Sequence, residues 1–329
     1  MDLNFIYTDK NYKELGFLKN MSCDLVIGKY GVSDNDFELT LSIADREPAF
    51  DDGSLFYCED TEYGGIINHK KVNTNDNTIT FIGKTFRGLL EKEYIQPPTD
   101  EAYLKLNDEA NTCINTLIGN KFGGLFVVDD IGKSGINIKY DIRDLNLLQA
   151  LEKALATQNC KLDIKHQDDG KVHLKAVKIN DLSDTLQYDN NYQVGMIVQT
   201  KDKPYNHILA LGKGELLERL RVNLYLQADG SWGTDEYYIG LNRKTYKHED
   251  VNVDDEEELK SNAIEKINEL NGSDTLDISF TSDNAELFDI VGAKENITNI
   301  SFKQPITEKI LKVSYNNLSI SYKVGETNW

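Results

Sequence analysis

Short stretches in which apolar and polar residues alternate run through much of the chain, and this period of two predicts β-strands. Residues 37–43 (FELTLSI) give the cleanest example, because every second side chain is apolar, as in a half-buried strand. Residues 61–67 and 78–82 are further strand candidates, and the polar residues 73–77 between them predict a hairpin turn. Up to the Pro97-Pro98 pair, the pattern predicts a small antiparallel barrel or sandwich over residues 1–98.

Beyond residue 99 the apolar spacing changes to three and four, which predicts two helices. We expect Gly119 to end the first helix and Asp144 to cap the start of the second. The two apolar stripes consist of Leu106, Ala110, Cys113, Ile114, Leu117 and Ile118, and of Leu148, Leu151, Ala154 and Leu155.

Strands accompany these helices. Residues 126–128 are strand-like, and residues 161–165 and 172–177 flank Asp168-Asp169-Gly170, which is a hairpin-turn signal. This mixture of helices and strands predicts an α+β domain over residues 99–179.

The β pattern returns after residue 180 and is interrupted once. The strand candidates are residues 205–211, 219–227, 276–280, 288–292, 297–302, 310–315 and 318–324, with Asn316-Asn317 as the last turn. The interruption carries one helical stripe, formed by Leu259, Ala263, Ile264, Ile267 and Leu270 and followed by Gly272. The sequence therefore predicts a second β domain, residues 180–228 and 274–329, with a small insert at 229–273. The predicted fold class is α+β and mainly β.

Composition and charge exclude several classes of protein. The chain has 329 residues and a net charge of −19, which argues against binding nucleic acid along a basic face. The first residues lack a basic start followed by an apolar run, and no apolar stretch approaches the length of a membrane span, so we expect synthesis and folding in a cytoplasm. The cysteines, Cys23, Cys58, Cys113 and Cys160, form no CxxC pair and are predicted to be reduced and mostly buried.

Two glycine-rich stretches suggest a nucleotide site, but neither has the required context. A phosphate-binding loop needs a glycine five positions before its Gly-Lys-Thr, and Thr78 stands there for Gly83-Lys84-Thr85. We expect a strand to end at Gly83 and the chain to turn a corner. In Gly212-Lys213-Gly214-Glu215 no helix follows a buried parallel strand.

No residue is predicted to be catalytic, to bind a cofactor or to ligate a metal. His166 and His173 flank a hairpin and could approach each other, but a third ligand is missing. The acidic run at residues 254–258 is better placed to begin a helix than to bind calcium. Arg219 and Arg221 lie on one face of a predicted strand, where they either pair across an interface or face solvent.

Six stretches, in this order along the chain, resemble phage tail hub proteins, which form the ring at the tip of a tail tube or the centre of a contractile baseplate. They are GFLKNMSCDLVIGKYGVSDNDFELTL, EYGGIINHKKVNTNDNTITFIGKTFRGLLEKEYIQPP, KPYNHILALGKGELLERLRVNLYL, EELKSNAIEKINELNGSDTLDISF, FDIVGAKENITNISFKQPITEKILKV and SISYKVG. The resemblance covers most of the chain, and none of these stretches carries a catalytic motif.

The resemblance implies two tube-like barrel domains per chain, and a homotrimer that presents six similar barrels to a six-fold tube. Its expected partners are the tail tube or a distal tube-end ring, a spike or tail-tip protein, and the tape-measure protein. DNA would be a partner only in transit. The expected location is the virion tail or a bacteriocin-like particle assembled in the host cytoplasm, with a contractile tail favoured by the short chain.

Two other functions stay open at this stage. A cell-wall hydrolase would need two positioned carboxylates, and 55 acidic residues make such pairs uninformative. A carbohydrate-binding module would need exposed aromatic residues, for which Trp232, Tyr237 and Tyr238 form one candidate group. Since an enzyme domain in related hubs usually follows the last barrel, and the sequence stops at Trp329, we expect no enzyme activity.

Overall fold

The computed structural model describes residues 3–184, 187–189, 195–199, 205–271, 275–279, 285–295, 300–314 and 317–325. The chain divides into a larger unit, Met1–Ile197 with Leu276–Trp329, and a smaller unit, Val198–Thr275.

The N-terminal part of the larger unit is mainly antiparallel sheet. Its elements are β1 (Phe5–Thr8), β2 (Glu14–Phe17), β3 (Ser22–Gly28), β4 (Asp36–Ser42), β5 (Leu55–Cys58), β6 (Gly64–Asn73), β7 (Thr78–Thr85), α1 (Phe86–Leu90) and β8 (Tyr94–Ile95). The strands pair in the order β3-β4-β7-β6-β5-β1-β2. The alternation predicted for residues 37–43 is observed, because Phe37, Leu39 and Leu41 are buried in β4. The predicted hairpin is confirmed by the pairing of Asn73 with Thr78.

The α+β part follows directly. Its elements are β9 (Leu104–Glu109), α2 (Ala110–Ile118), β10 (Phe126–Val128), β11 (Asn137–Ile142), β12 (Leu145–Asn146), α3 (Leu147–Ala156), β13 (Cys160–His166) and β14 (Val172–Lys178). The strands β10, β14 and β13 form one sheet, while β9 pairs with β11 and β8 with β12. The apolar faces of α2 and α3 pack into one core with this sheet and with Phe86 and Leu90 of α1.

Three predicted details are wrong, two in this α+β part and one in the N-terminal sheet. Leu106 belongs to β9, because the side chain of Glu109 caps α2 and the helix begins only at residue 110. Asn146, not Asp144, caps α3 by accepting a hydrogen bond from the Gln149 N–H at 2.8 Å. Strand β7 does not end at Gly83 but continues to Thr85.

The next part of the chain contains β15 (Gln187–Asp189) and β16 (Gly195–Gln199), then β17 (His207–Leu211), β18 (Arg221–Leu226), β19 (Trp232–Gly233), β20 (Thr245–Glu249) and α4 (Glu256–Asn271). The last four strands form the sheet of the smaller unit, in the order β19-β18-β17-β20. Helix α4 packs on this sheet through Leu259, Ala263 and Ile267. Because β17 pairs with both β18 and β20, the predicted insert boundary at residue 229 falls inside this unit, which begins at Val198. The predicted stop at Gly272 lies outside the described residues.

The C-terminal strands complete the larger unit. They are β21 (Thr275–Ser279), β22 (Ile290–Glu295), β23 (Ile300–Ser314) and β24 (Asn317–Val324). Strand β23 joins the two segments predicted separately at 297–302 and 310–315, and it pairs with both β22 and β24. Asn317 of the predicted last turn is the first residue of β24, and residue 316 lies outside the described residues.

One pairing connects the two ends of the chain. Strand β23 pairs with β3 from Glu308↔Gly28 to Ser314↔Ser22, so the N-terminal and C-terminal strands share a single sheet, β16-β21-β24-β23-β3-β4-β7-β6-β5-β1-β2. The fold is α+β and mainly β, as predicted. All four cysteines are free and buried. In the described part of the chain, no helix has the length and apolar character needed to cross a bilayer.

Candidate functional site: a buried ionic junction and a polar sheet face

The corner between β7 and α1 carries an arginine into the protein interior. The Thr85 hydroxyl accepts a hydrogen bond from the Gly88 N–H at 3.2 Å and donates one to the Asn35 carbonyl at 3.0 Å. A Cβ at Gly88 would lie 2.2 Å from that same carbonyl oxygen, so the approach requires glycine. This packing fixes α1, and Arg87 on α1 is only 1% exposed.

Arg87 is bound by carboxylates from two other segments. Its Nε and Nη2 donate to Glu62 at 2.7 and 3.1 Å, and its Nη1 donates to Glu152 at 3.3 Å. Nη2 also donates to the Leu162 carbonyl at 3.3 Å. Glu62 precedes β6 and Glu152 lies on α3, so one guanidinium joins the N-terminal sheet to the α+β part.

One further ion pair and one cation–π contact join these parts to the C-terminal segment. Lys161 Nζ lies 2.7 Å from Asp289 Oδ1, and the two side chains are 6% and 2% exposed. Lys309 Nζ lies 3.0 Å from Glu286 and 5.0 Å from the centre of the Tyr63 ring. We call the set Glu62, Arg87, Glu152, Lys161, Glu286, Asp289 and Lys309 the ionic junction.

Burial dominates the electrostatics of the junction. It raises the pKa of Glu152 to about 7, although Arg87 and the Tyr30 N–H favour the charged form. It also raises the pKa of Glu62, against the opposing effect of Arg87. Carboxylates inside a protein need such partners, because an unpaired buried charge is very costly.

A cavity of about 100 Å³ lies within the junction and is lined by Arg87, Lys161 and Lys309 together with Glu62 and Glu286. Among the described residues, each of these five charges has an oppositely charged partner. Since these five charges are bound by one another or by Asp289, the arrangement holds three parts of the chain together.

The central strands of the large sheet offer a second feature, a polar face. Leu25, Leu39 and Leu311 point into the core and are fully buried. On the opposite face, Asp24 of β3 lies in register with Glu38 of β4 and Lys312 of β23. We call the outward residues Asp24, Glu38, Thr40, Thr80 and Lys312 the polar sheet face.

Contacts along this polar sheet face are short and regular. The Asp24 carboxylate lies 3.0 Å from Lys312 Nζ. The hydroxyls of Thr40 and Thr80, which are opposite each other on β4 and β7, are 2.8 Å apart. The face is therefore a polar surface that runs from the N-terminal strands onto β23.

The two histidines are not brought together into a metal site. His166 is fully buried and stacks on the Tyr57 ring at 3.5 Å, and burial lowers its pKa to about 4. His173 lies between Asp129 and Asp169, at 2.6 and 3.0 Å. Burial opposes its protonation, but these two carboxylates outweigh burial and raise its pKa. In the described ranges, no group of three or more His, Cys, Asp or Glu is placed to hold a metal.

The Gly-Lys-Thr stretch has structural partners. A Cβ at Gly83 would lie 2.0 Å from the Ile66 carbonyl oxygen and 2.8 Å from the Phe37 ring, which explains the glycine. Lys84 Nζ donates to the Asp34 carbonyl. In the second glycine-rich stretch, Lys213 Nζ pairs with Asp254 at 2.8 Å.

The charged residues singled out in the smaller unit also bind within it. Arg219 Nη2 lies 3.3 Å from Glu249, and Arg221 Nη2 donates to the Leu216 carbonyl at 2.8 Å. The acidic run begins α4, as expected: the Asp255 carboxylate accepts a hydrogen bond from the Glu258 N–H at 2.8 Å. Lys260 pairs with the run from one turn further along the helix.

The ionic junction was not found by sequence reasoning. Its members are scattered from residue 62 to residue 309, and no spacing rule connects them. The one local signal was a charged residue, Arg87, inside an otherwise apolar segment, FRGLL.

No family model and no curated protein matches the sequence. Among solved structures, a tail protein from Neisseria meningitidis is similar with a TM-score of 0.58 and 13% sequence identity, over 99% of this chain and 97% of that one. The 43 kDa tail protein of prophage MuSo2 from Shewanella oneidensis is similar with a TM-score of 0.59 and 12% identity, over 98% of both chains. A chain from the baseplate of phage P2 in its activated conformation has a TM-score of 0.53 and 13% identity, over 99% of both chains.

These similarities extend over nearly the full length of both chains in each comparison, so they concern the whole arrangement of elements and not a single common motif. The sequence identities are too low to transfer residue roles. The chain has the fold of phage tail and baseplate proteins.

Proposed function

We propose that this protein is a structural tail hub, of which three copies form a pseudo-six-fold ring. The ring joins the tail tube, or a distal ring at the end of the tube, to a central spike or tip protein. It surrounds a channel for the tape-measure protein and for DNA in transit. The protein is assembled in the host cytoplasm and ends in a virion tail or tail-like particle.

The pairing of β23 with β3 carries this proposal. It puts strands from the beginning and the end of one chain side by side in one sheet. In our proposal these strand sets are the two barrel-like domains, residues 1–98 and residues 180–197 with 276–329, and residues 99–179 brace them through the ionic junction. Three copies would then supply six similar surfaces to a six-fold tube.

The polar sheet face supports the channel role. The face carries two carboxylates, Asp24 and Glu38, and one lysine, Lys312, which is paired with Asp24, so a wall formed by it would repel phosphates instead of binding them. Such a wall lets a polyanion pass without retaining it.

The proposed role includes no enzyme activity. Within the ionic junction, burial raises the pKa of two carboxyl groups, Glu62 and Glu152, and both are bound to Arg87. We expect no clearing of peptidoglycan in a zymogram. Cleared zones that vanish when a single carboxylate is replaced would contradict this role.

Native mass spectrometry of the purified protein, and of the protein released from tail particles, tests the ring. We expect a trimer in the particle, with either a trimer or a monomer in free solution. A stable dimer in both settings would refute the three-fold ring.

A further inference from the structure

The loop between β19 and β20 of the smaller unit exposes an ordered tyrosine. Tyr237 is 53% exposed, and its ring packs edge to face on Tyr238, with centroids 5.0 Å apart and planes at 85°. Trp232, which the sequence groups with them, is half-buried and packs against the core of the unit. The loop therefore presents an exposed aromatic side chain that its neighbour helps to hold in place.

An ion pair lies in the same loop. Arg243 Nη2 is 2.5 Å from Glu236 Oε1, and Arg243 Nε donates to the Tyr238 carbonyl at 3.3 Å. The guanidinium lies 5.6 Å from the centre of the Tyr225 ring, and the Tyr225 hydroxyl donates to Glu236 at 3.3 Å.

Residues of the four-stranded sheet of the smaller unit hold the Arg243–Glu236 pair in place. The Tyr225 ring stacks on His207, with centroids 4.5 Å apart and planes at 14°. The His207 ring nitrogens bind the Thr245 hydroxyl at 2.8 Å and the Asn223 side-chain oxygen at 3.1 Å. Stacking from His207 through Tyr225 to Arg243 fixes the rotamers before any ligand arrives.

The exposed part of the ion pair keeps unused donors and acceptors. The side chains of Arg243 and Glu236 are 29% and 49% exposed. A guanidinium has five N–H groups, and the contacts described for Arg243 engage those on Nε and Nη2. A guanidinium donor beside a carboxylate acceptor complements two adjacent hydroxyl groups, because one hydroxyl can accept while the other donates.

The side chains of the loop favour one class of ligand over others. Vicinal hydroxyls next to an apolar C–H face are the features of a sugar ring, and an exposed tyrosine ring complements that face. A phosphate or carboxylate ligand is disfavoured by Glu236 and by the net charge of −19. Ile239 and Leu241, which follow Tyr237 in the same loop, are exposed as well.

We propose that Tyr225, Glu236, Tyr237, Tyr238 and Arg243 form a binding site for a neutral saccharide, with Tyr237 as the stacking platform and the Arg243–Glu236 pair as the hydroxyl-binding group. This activity is separate from the hub role and does not depend on it. It would give a tail protein a weak contact with a glycan surface.

Saturation-transfer NMR on the full-length protein tests the proposal. The probes are soluble oligomers of N-acetylglucosamine, glucose, galactose and rhamnose. We expect saturation transfer to the ring protons of at least one probe. Tyr237→Ala should weaken its binding roughly tenfold, as expected for the loss of one aromatic contact. Tyr237→Phe should retain binding, and Arg243→Lys should weaken it.

The matched control is Tyr94→Ala, which removes a tyrosine that is 65% exposed in the larger unit. It should leave binding unchanged. No transfer to any probe, equal binding by Tyr237→Ala and the wild type, or an equal loss in Tyr94→Ala would each overturn the proposal. Thermal unfolding of every variant shows whether it still folds. If Tyr237→Ala does not fold, the binding of Tyr237→Phe is compared with that of the wild type instead.

Discussion

At the scale of single residues, Arg87 has the largest expected effect. Replacing it with methionine would leave Glu62 and Glu152 buried without their cation, which costs about 3–5 kcal/mol of unfolding free energy. Urea denaturation measures this loss. The triple variant Arg87→Met, Glu62→Gln, Glu152→Gln should recover much of it, because both uncompensated charges are gone.

The control for Arg87 is Arg143→Met, since Arg143 forms an exposed ion pair with Asp144 at 3.4 Å. An exposed pair of this kind contributes little to stability. If both arginine variants changed the unfolding free energy equally, the ionic junction would not be holding the larger unit together.

The raised pKa of Glu152 predicts that the stability of the protein depends on pH. Its pKa is raised from 4.5 to about 7 in the folded protein, so the folded state binds the proton more tightly than the unfolded state. Its contribution to stability is therefore fully present below pH 4.5 and is lost as the pH rises through about 7. Glu152→Gln removes this titration.

The measurement is the difference in unfolding free energy between the wild type and Glu152→Gln, followed across that range of pH. We expect the wild type to lose stability relative to the variant as the pH rises. A constant difference would mean that Glu152 titrates with its ordinary pKa.

At the scale of elements, α2 depends on a carboxylate at its N-terminus. Glu109 accepts hydrogen bonds from the N–H groups of Thr112, Gly132 and Ser134 at 2.9, 2.8 and 2.7 Å. Burial would raise its pKa, but hydrogen bonds from Ser134 and Thr112 outweigh burial and lower it to about 2. One side chain thus caps the helix and orders the loop before β11.

Glu109→Ala should therefore lower the unfolding free energy by about 1–2 kcal/mol, the usual effect of losing an N-cap. The wild-type advantage should be present above pH 4.5 and disappear as the pH falls towards 2, because this pKa is depressed. Glu101→Ala, at an exposed position, is the control. An advantage that persists at pH 2 would exclude the carboxylate as its source.

Sequence patterns predicted the elements that have one apolar face. Strand β4 and helix α3 follow their patterns because one side of each is buried and the other is polar. Leu106 was misassigned because its distance of four residues from Ala110 fits a helix, and only the cap at Glu109 shows where β9 ends. Strand β23 looked like two strands because Pro305 lies within it, at the point where its pairing passes from β22 to β24.

At the scale of the whole molecule, the acidic charge predicts behaviour towards DNA. The isolated protein should show no measurable affinity for duplex DNA even at about 50 mM salt, where phosphate contacts are strongest. Fluorescence anisotropy with a labelled duplex measures this. Tight binding that weakens steeply by about 200 mM salt would reveal a basic stripe and contradict an inert channel wall.

Only part of the domain organisation could be predicted from the sequence. The patterns revealed two β-rich regions and a helical insert, but they did not reveal that β17 pairs with both β18 and β20, because pairing partners leave no local signal. The ionic junction was invisible for the same reason: its charges approach each other only after folding.

The pairing of β3 with β23 also sets the order of events during translation. Ser22 pairs with Ser314 and Gly28 with Glu308. Strand β3 therefore cannot form this pairing until the ribosome has added almost 300 further residues. Until then the nascent chain carries an open strand edge, which is prone to pairing with other chains. The smaller unit is made entirely within that interval and closes on its own contacts. The larger unit can reach its native state only after the last strands leave the exit tunnel, so premature termination near the 3′ end of the message would yield a product with an open sheet.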